Sequence, residues 1–405
     1  MNCRLRPELR TVLAFLLLLV ILLGGCVSPD PNAESVPTPS AAGAPTTSDE
    51  TEGSFSASAN ADTDDQSQTD EQVAAGAGEK ELASIVSAAL DFIELLDEQQ
   101  HEAALLPFDS NKRSNWSNLP ASMLPFDRNG VRIGDLDQSQ FNAMLAFLST
   151  AMSTDGLDTV TAVVAAELIL AESSRAARQG LSEGNYWLAF FGTPSPTEPW
   201  AWQFGGHHLA VNMSISNGRI TMSPTFIGIE PAVFAADAVA HAFQALGGER
   251  ASDETETVAP FAREIEAALA LVNSLSAASH DAVFLSRRPS SLITGAGRDG
   301  VIPELEGSQA SGWSPAQKQA LLDLVFLWVG TLPPQNAAMR MQEIEASLDD
   351  TFFAWYGSAD GAGAIYYRIQ SPVLIIEFLT RGPVDVTNGH YHSIYRDPTN
   401  EYGRQ

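Results

Sequence analysis

Trp200-Ala201-Trp202-Gln203-Phe204-Gly205-Gly206-His207-His208-Leu209-Ala210-Val211-Asn212-Met213-Ser214-Ile215-Ser216-Asn217-Gly218 is the longest stretch of strand texture in the middle of the sequence. Leu209, Val211, Met213 and Ile215 alternate with Ala210, Asn212 and Ser214, a period of two that places each set on one face of a strand. The stretch reads as one long strand, Trp200 to Ser216, interrupted at Gly205-Gly206. Asn217-Gly218 is a strong two-residue hairpin signal, because both positions accept positive φ. Arg219 to Ile229 is then the returning strand, which Pro224 demotes to an edge or a bulge by removing a backbone donor.

Upstream the pattern is helical. Leu82, Ile85, Val86, Ala89, Ile93 and Leu96 recur at three and four residues and form one apolar stripe that should end before Pro107. A second helix is expected from Asp137, with Gln140 completing a capping box, and a third from about Asp158 to Arg178. Tyr186 to Gly192 reads as a strand. Downstream, helices are expected over Pro231 to Leu246, about Thr255 to Leu275, and from Ser314-Pro315-Ala316-Gln317 onward. The last sixty residues are strand-like again, over Thr351 to Tyr356, Ile365 to Ile369, Val373 to Leu379 and His390 to Arg396. Helices and strands come in blocks, which predicts an α+β fold with an antiparallel sheet of about six strands packed with several helices.

Three divisions are expected along the 405 residues. Residues 1–25 have the form of a signal peptide: Arg4, Arg6 and Arg10 precede an apolar run from Val12 to Leu23, too short for a comfortable span. Leu23-Gly24-Gly25-Cys26 resembles a bacterial lipobox, which implies cleavage after Gly25, acylation at Cys26 and a lipid anchor in the cell membrane or outer membrane, facing outward. Residues 26–79 follow as a tether, with eleven acids and no Lys or Arg between Val27 and Glu79, expected to be disordered. Residues 80–405 form one α+β domain.

Charge narrows the partners. Net charge is −28, and residues 80–405 carry 19 basic against 38 acidic side chains, which argues against nucleic acid. The two cysteines, Cys3 and Cys26, leave no thiol for a disulfide or for cysteine chemistry once the signal is removed and the anchor attached. No P-loop, dinucleotide fingerprint or Gly-x-Ser-x-Gly elbow is present.

The residues that stand out are two histidine pairs, His207-His208 and His390-Tyr391-His392. Along a strand His390 and His392 share a face with Ile394 and Arg396, whereas only one of His207 and His208 can join them. If the two strands are neighbours, three imidazoles converge as the ligand set of one divalent transition metal ion with an open position. Glu377, an acid within the apolar run Val373 to Phe378, and Asp397 are candidates for ligand, orienting group or general base. Arg396 is a candidate anchor for an anionic substrate group. The plainer alternatives are histidines bonded to backbone carbonyls and an ordinary buried ion pair of Arg396 with Asp397 or Glu377. Trp200 and Trp202 line either a pocket or the core, and His101, His241 and His280 read as surface or packing residues.

Several blocks together resemble one family, the domain of unknown function number 3500. They are Phe191-Gly192-Thr193-Pro194-Ser195, Trp200 through Leu209, Pro224-Thr225-Phe226-Ile227-Gly228, Tyr366-Tyr367-Arg368-Ile369, Ile376-Glu377-Phe378, His390-Tyr391-His392, Arg396-Asp397-Pro398 and Asn400-Glu401-Tyr402-Gly403. The resemblance covers about residues 80–405, and the family usually has Asp where this chain has Glu401. It implies that both histidine blocks belong to one domain, and no activity. Two functions are therefore expected to compete: a metal-dependent enzyme, hydrolase or oxidoreductase, and a non-catalytic lipoprotein that binds a metal or small ligand, or meets an envelope protein.

Overall fold

The computed structural model describes residues 63–172, 180–246, 248, 256–384 and 388–403. The signal peptide, Cys26 and the tether up to residue 62 lie outside the described residues. A helix spans Thr63–Glu94, so the end of the stretch expected as tether, from Thr63, is helical. Among the described residues no helix is long and apolar enough to cross a membrane.

The capping signals mark helices as expected. Asp137 caps Gln138–Ala151 and Ser314 caps Pro315–Val329, each through a reciprocal capping box with Gln140 and Gln317. Ser153 caps Thr154–Ala171. Helices Asp237–Ala245, Ala262–Ser274 and Pro334–Ala346 complete the layer that packs on the sheet.

In chain order the strands are β1 (Leu105–Leu106), β2 (Val131–Arg132), β3 (Tyr186–Phe191), β4 (Trp200–Gly206), β5 (Leu209–Ser216), β6 (Arg219–Thr221), β7 (Thr225–Ile229), β8 (Phe234–Ala235), β9 (Thr257–Val258), β10 (Ser308–Gln309), β11 (Phe352–Tyr356), β12 (Ala364–Gln370), β13 (Ile375–Pro383) and β14 (Tyr391–Arg396). All but β8 and β9 join one sheet in the order β1-β3-β4-β5-β7-β14-β13-β12-β11-β10, with β2 on β3 and β6 on β5. Every pairing is antiparallel except β1 with β3. The fold is α+β as expected, but the sheet has twelve strands rather than about six. Part of the excess is in β1, β2, β6 and β10, two or three residues each, too short to show any period in the sequence.

Two further corrections concern the opening stretch. Trp200 to Ser216 is not one strand: β4 and β5 form a hairpin in which Gly206 pairs with Leu209, so His207-His208 is the turn, with His208 at φ 61°. Asn217-Gly218, at φ 52° and 75°, closes the next hairpin as predicted. Past Pro224, however, the chain is no edge. Because Pro224 sits between β6 and β7 rather than inside either, β7 keeps its donors and lies centrally between β5 and β14.

Alternation sorts the two faces. Trp200, Trp202 and Phe204, then Leu209, Val211, Met213 and Ile215, then Tyr391 and Tyr395 face the helices and form the main core. Trp202 meets Phe147 edge-on at 5.4 Å, so Trp200 and Trp202 are core residues. The opposite face is covered by irregular segments whose Trp116, Leu292 and Tyr402 pack on Ala210, Phe226, Tyr366, Leu379 and Ile394. Buried polar side chains gather on this second face: Gln203, Asn212, Arg368, Glu377, His392 and Arg396.

Candidate metal centre

The β7–β14 pairing builds the site. His392 pairs with Gly228 across the strands, and β7 also pairs with β5 just past the turn that carries His208. Gly228 is what allows the approach. A Cβ at this position would stand 2.9 Å from His392 Cδ2 and 3.2 Å from His208 Cδ2, so the two rings lie close over a backbone that has no side chain of its own. The backbone holds the turn from both sides, with Gly228 N donating to His208 O at 2.7 Å and His208 N to Asn118 O at 3.3 Å.

Three imidazole nitrogens meet there. His208 Nε2 stands 3.0 Å from His390 Nε2, which stands 2.8 Å from His392 Nε2. Each neutral ring has one lone pair and one proton, so a single hydrogen bond can satisfy each contact only through complementary tautomers. Burial, first, and then the neighbouring imidazoles and the Arg381 guanidinium hold His208 well below the usual histidine range. Burial followed by Arg381 and His207 brings His390 down to about 4, and burial followed by His390 brings His392 down to about 3. All three rings are therefore neutral near pH 7, the form in which imidazole binds a metal.

Two carboxylates stand behind the rings. Glu230 Oε2 lies 3.3 Å from His390 Nδ1, on the side away from the cluster. Glu167, from helix Thr154–Ala171, places Oε2 2.8 Å from His207 Nδ1, and the His207 ring stacks on His208 with centroids 3.9 Å apart. The turn thus divides its histidines: His208 joins His390 and His392, while His207 reaches the helix layer. Glu167, His207 and His208 also bring possible ligand atoms within 4.8 Å of one another, and His208 is shared between the two groups.

The other expected site residues lie apart from the imidazoles, Glu377 and Arg396 on the same face and Asp397 toward the helix layer. Glu377 is fully buried and accepts from Ile293 N at 2.8 Å, Thr294 N at 2.7 Å, Thr294 Oγ1 at 2.5 Å and Tyr366 OH at 2.8 Å. Arg396 donates to Thr294 O, Gly295 O, Asp299 and Glu401 and lies over the Trp116 ring. Asp397 accepts from Thr399 and Asn400 and faces Arg340 at 3.2 Å. Glu377 and Arg396 bind the covering segments to the sheet, whereas Asp397 closes the turn after β14 and pairs with the helix layer through Arg340. These three side chains make no contact with the imidazoles.

Sequence reasoning missed Glu167, Gly228, Glu230 and Arg381. Glu167 had a signal, a lone acid within the apolar run Val163 to Leu170, the same signal that drew notice to Glu377. Arg381 had none, because its place depends on register. Leu379 pairs with His392, and Arg381 N donates to His390 O, so the exposed Arg381 shares the face of both histidines.

Residues 78–404 match the model of one family, described as a protein of unknown function (DUF3500). The chain belongs to this family. No curated protein and no solved structure matches it. The DUF3500 match includes both histidine blocks and Glu167, Gly228, Glu230 and Arg381, so the whole arrangement lies within one family domain.

Proposed function

We propose that this DUF3500 protein holds one divalent transition metal ion through His208, His390 and His392 and carries out metal-dependent chemistry, hydrolytic or oxidative, on a small anionic ligand. The observation that carries this is the convergence of three neutral imidazoles, two of them buried and His390 half-buried, with His390 Nε2 within 3.0 Å of both other Nε2 atoms. Tetrahedral ligation at about 2.0–2.1 Å spaces such nitrogens about 3.3 Å apart, so His390 need separate from each of the other two rings by only a few tenths of an ångström. Three protein ligands leave a position open, where the ion polarises a ligand or lowers the pKa of bound water. Glu230 would orient His390, and Glu167 would hold His207 against His208, as carboxylates do behind ligating imidazoles. Arg381 replaces Arg396 as the cation available to the ligand. The signal and lipobox at Cys26 would anchor the protein outside the cell membrane or on the outer membrane, with substrate taken from that compartment.

Burial of His208 and His392, with 3% and 6% exposure, favours a second reading, a non-catalytic metal-binding lipoprotein. One experiment addresses both. Untagged protein is extracted with detergent from its native membrane, beside a His390→Ala/His392→Ala variant, and both are analysed for metals. Near-stoichiometric metal in the wild type and its loss in a folded variant is the expected result. A folded wild type without metal sinks the proposal, and recovery only from the soluble cytoplasmic fraction sinks the anchor. Turnover of small esters, phosphoesters or oxidisable substrates by the loaded protein separates enzyme from carrier.

A further inference from the structure

On the helix side of the sheet, the first turn of helix Thr154–Ala171 and residues 330–333 enclose a cleft of about 790 Å3. Met152, Phe326, Leu332 and Ala337 give it apolar walls. Most of its charges are already matched. Arg263 and Asp155 pair at 2.7 Å, both well exposed, and Glu81 accepts from Asn336 Nδ2 at 2.9 Å.

Glu264 is the exception. It lines the cleft from the first turn of helix Ala262–Ser274, is only 7% exposed, and its Oε2 has no hydrogen-bond partner. Burial pushes its carboxyl up to about 7. An isolated carboxylate in such a place is costly, and the cost falls when a cation with hydrogen-bond donors meets it. A metal ion would need several ligands, and here a single carboxylate is free. An anion would meet Glu264 with Arg263 already engaged.

We infer that this cleft is a second ligand site, which takes an organic ammonium ion with an apolar body, its nitrogen on the Glu264 carboxylate and its body against Phe326 and Leu332. The site is independent of the histidine cluster, which lies on the other face of the sheet.

Calorimetry with benzylammonium as the probe and benzyl alcohol as its neutral counterpart tests it on the full-length protein at pH 8. The wild type should bind benzylammonium at least tenfold more tightly than benzyl alcohol, and Glu264→Gln should abolish that difference. Ala338→Trp, a substitution of an exposed lining residue, should block both probes while leaving the core intact. Equal affinity of the wild type for the two probes, no binding of either, or unchanged benzylammonium binding in folded Glu264→Gln or Ala338→Trp protein would overturn the inference.

Discussion

Two arginines of the same face show how context divides one residue type into two roles. Arg396 is 2% exposed, and its guanidinium donates to two carbonyls and two carboxylates, so no donor set remains for a ligand. Arg381 is exposed beside the imidazoles, and its charge lowers the pKa of each. The two substitutions should therefore differ in kind. Arg381→Gln should keep the metal and weaken acetate binding about tenfold, roughly 1.4 kcal/mol, read from the acetate-induced change in the visible spectrum of cobalt-loaded protein. Arg396→Gln should instead lower thermal stability. Unchanged acetate affinity in Arg381→Gln would remove Arg381 from the ligand's surroundings.

At the level of elements, the strand pairs and the segments over them do separate work. β7 and β14 align Gly228 with His392, while the covering segment around Thr294 is tied to β13 by Glu377. Glu377→Ala would leave two amide donors and the Tyr366 hydroxyl without their acceptor, at a cost of roughly 3 kcal/mol or more by the penalty for buried unpaired groups. Chemical denaturation should show that loss, with metal content per folded molecule unchanged. Loss of metal at unchanged stability would instead put Glu377 in the metal site. Part of this level was legible in advance. The capping boxes at Asp137 and Ser314 and the Asn217-Gly218 turn are local chemistry and stand where the sequence puts them. The His207-His208 turn was not legible, because flanking apolar alternation on both sides hid a two-residue hairpin inside what looked like one strand.

For the molecule as a whole, the buried carboxyl of Glu264 makes stability depend on pH. Its folded value, about 7, is raised above the ordinary 4.5. The groups that face it are Arg263 on its own helix, Asp155 on the neighbouring helix, Tyr367 on β12, and Glu81 across the cleft. A raised carboxyl binds its proton more tightly in the folded state. Its contribution is thus fully present below about pH 4.5 and is lost as pH rises through about 7, by about 3 kcal/mol in all. Denaturation of the wild type and Glu264→Gln from pH 4 to 8 should diverge in that sense, the variant having the flatter profile. Parallel profiles would mean that the carboxyl is not held neutral.

The sequence by itself determined what depends on near neighbours and on composition: the α+β class, the helix starts, the alternation that sorts Leu209 to Ile215 onto one face, and the two histidine pairs as the residues worth following. The family match spans residues 78–404, which contain both histidine pairs. Only the tertiary structure decided which of the seven histidines meet. Some 180 residues separate the pairs, and nothing local states that β7 and β14 are neighbours or that a glycine lies between two rings. The same holds for Glu377, Arg396 and Asp397. Their residue types suit catalysis and structure equally, and their partners determine that Glu377 and Arg396 bind the covering segments to the sheet while Asp397 closes a turn and meets Arg340 of the helix layer.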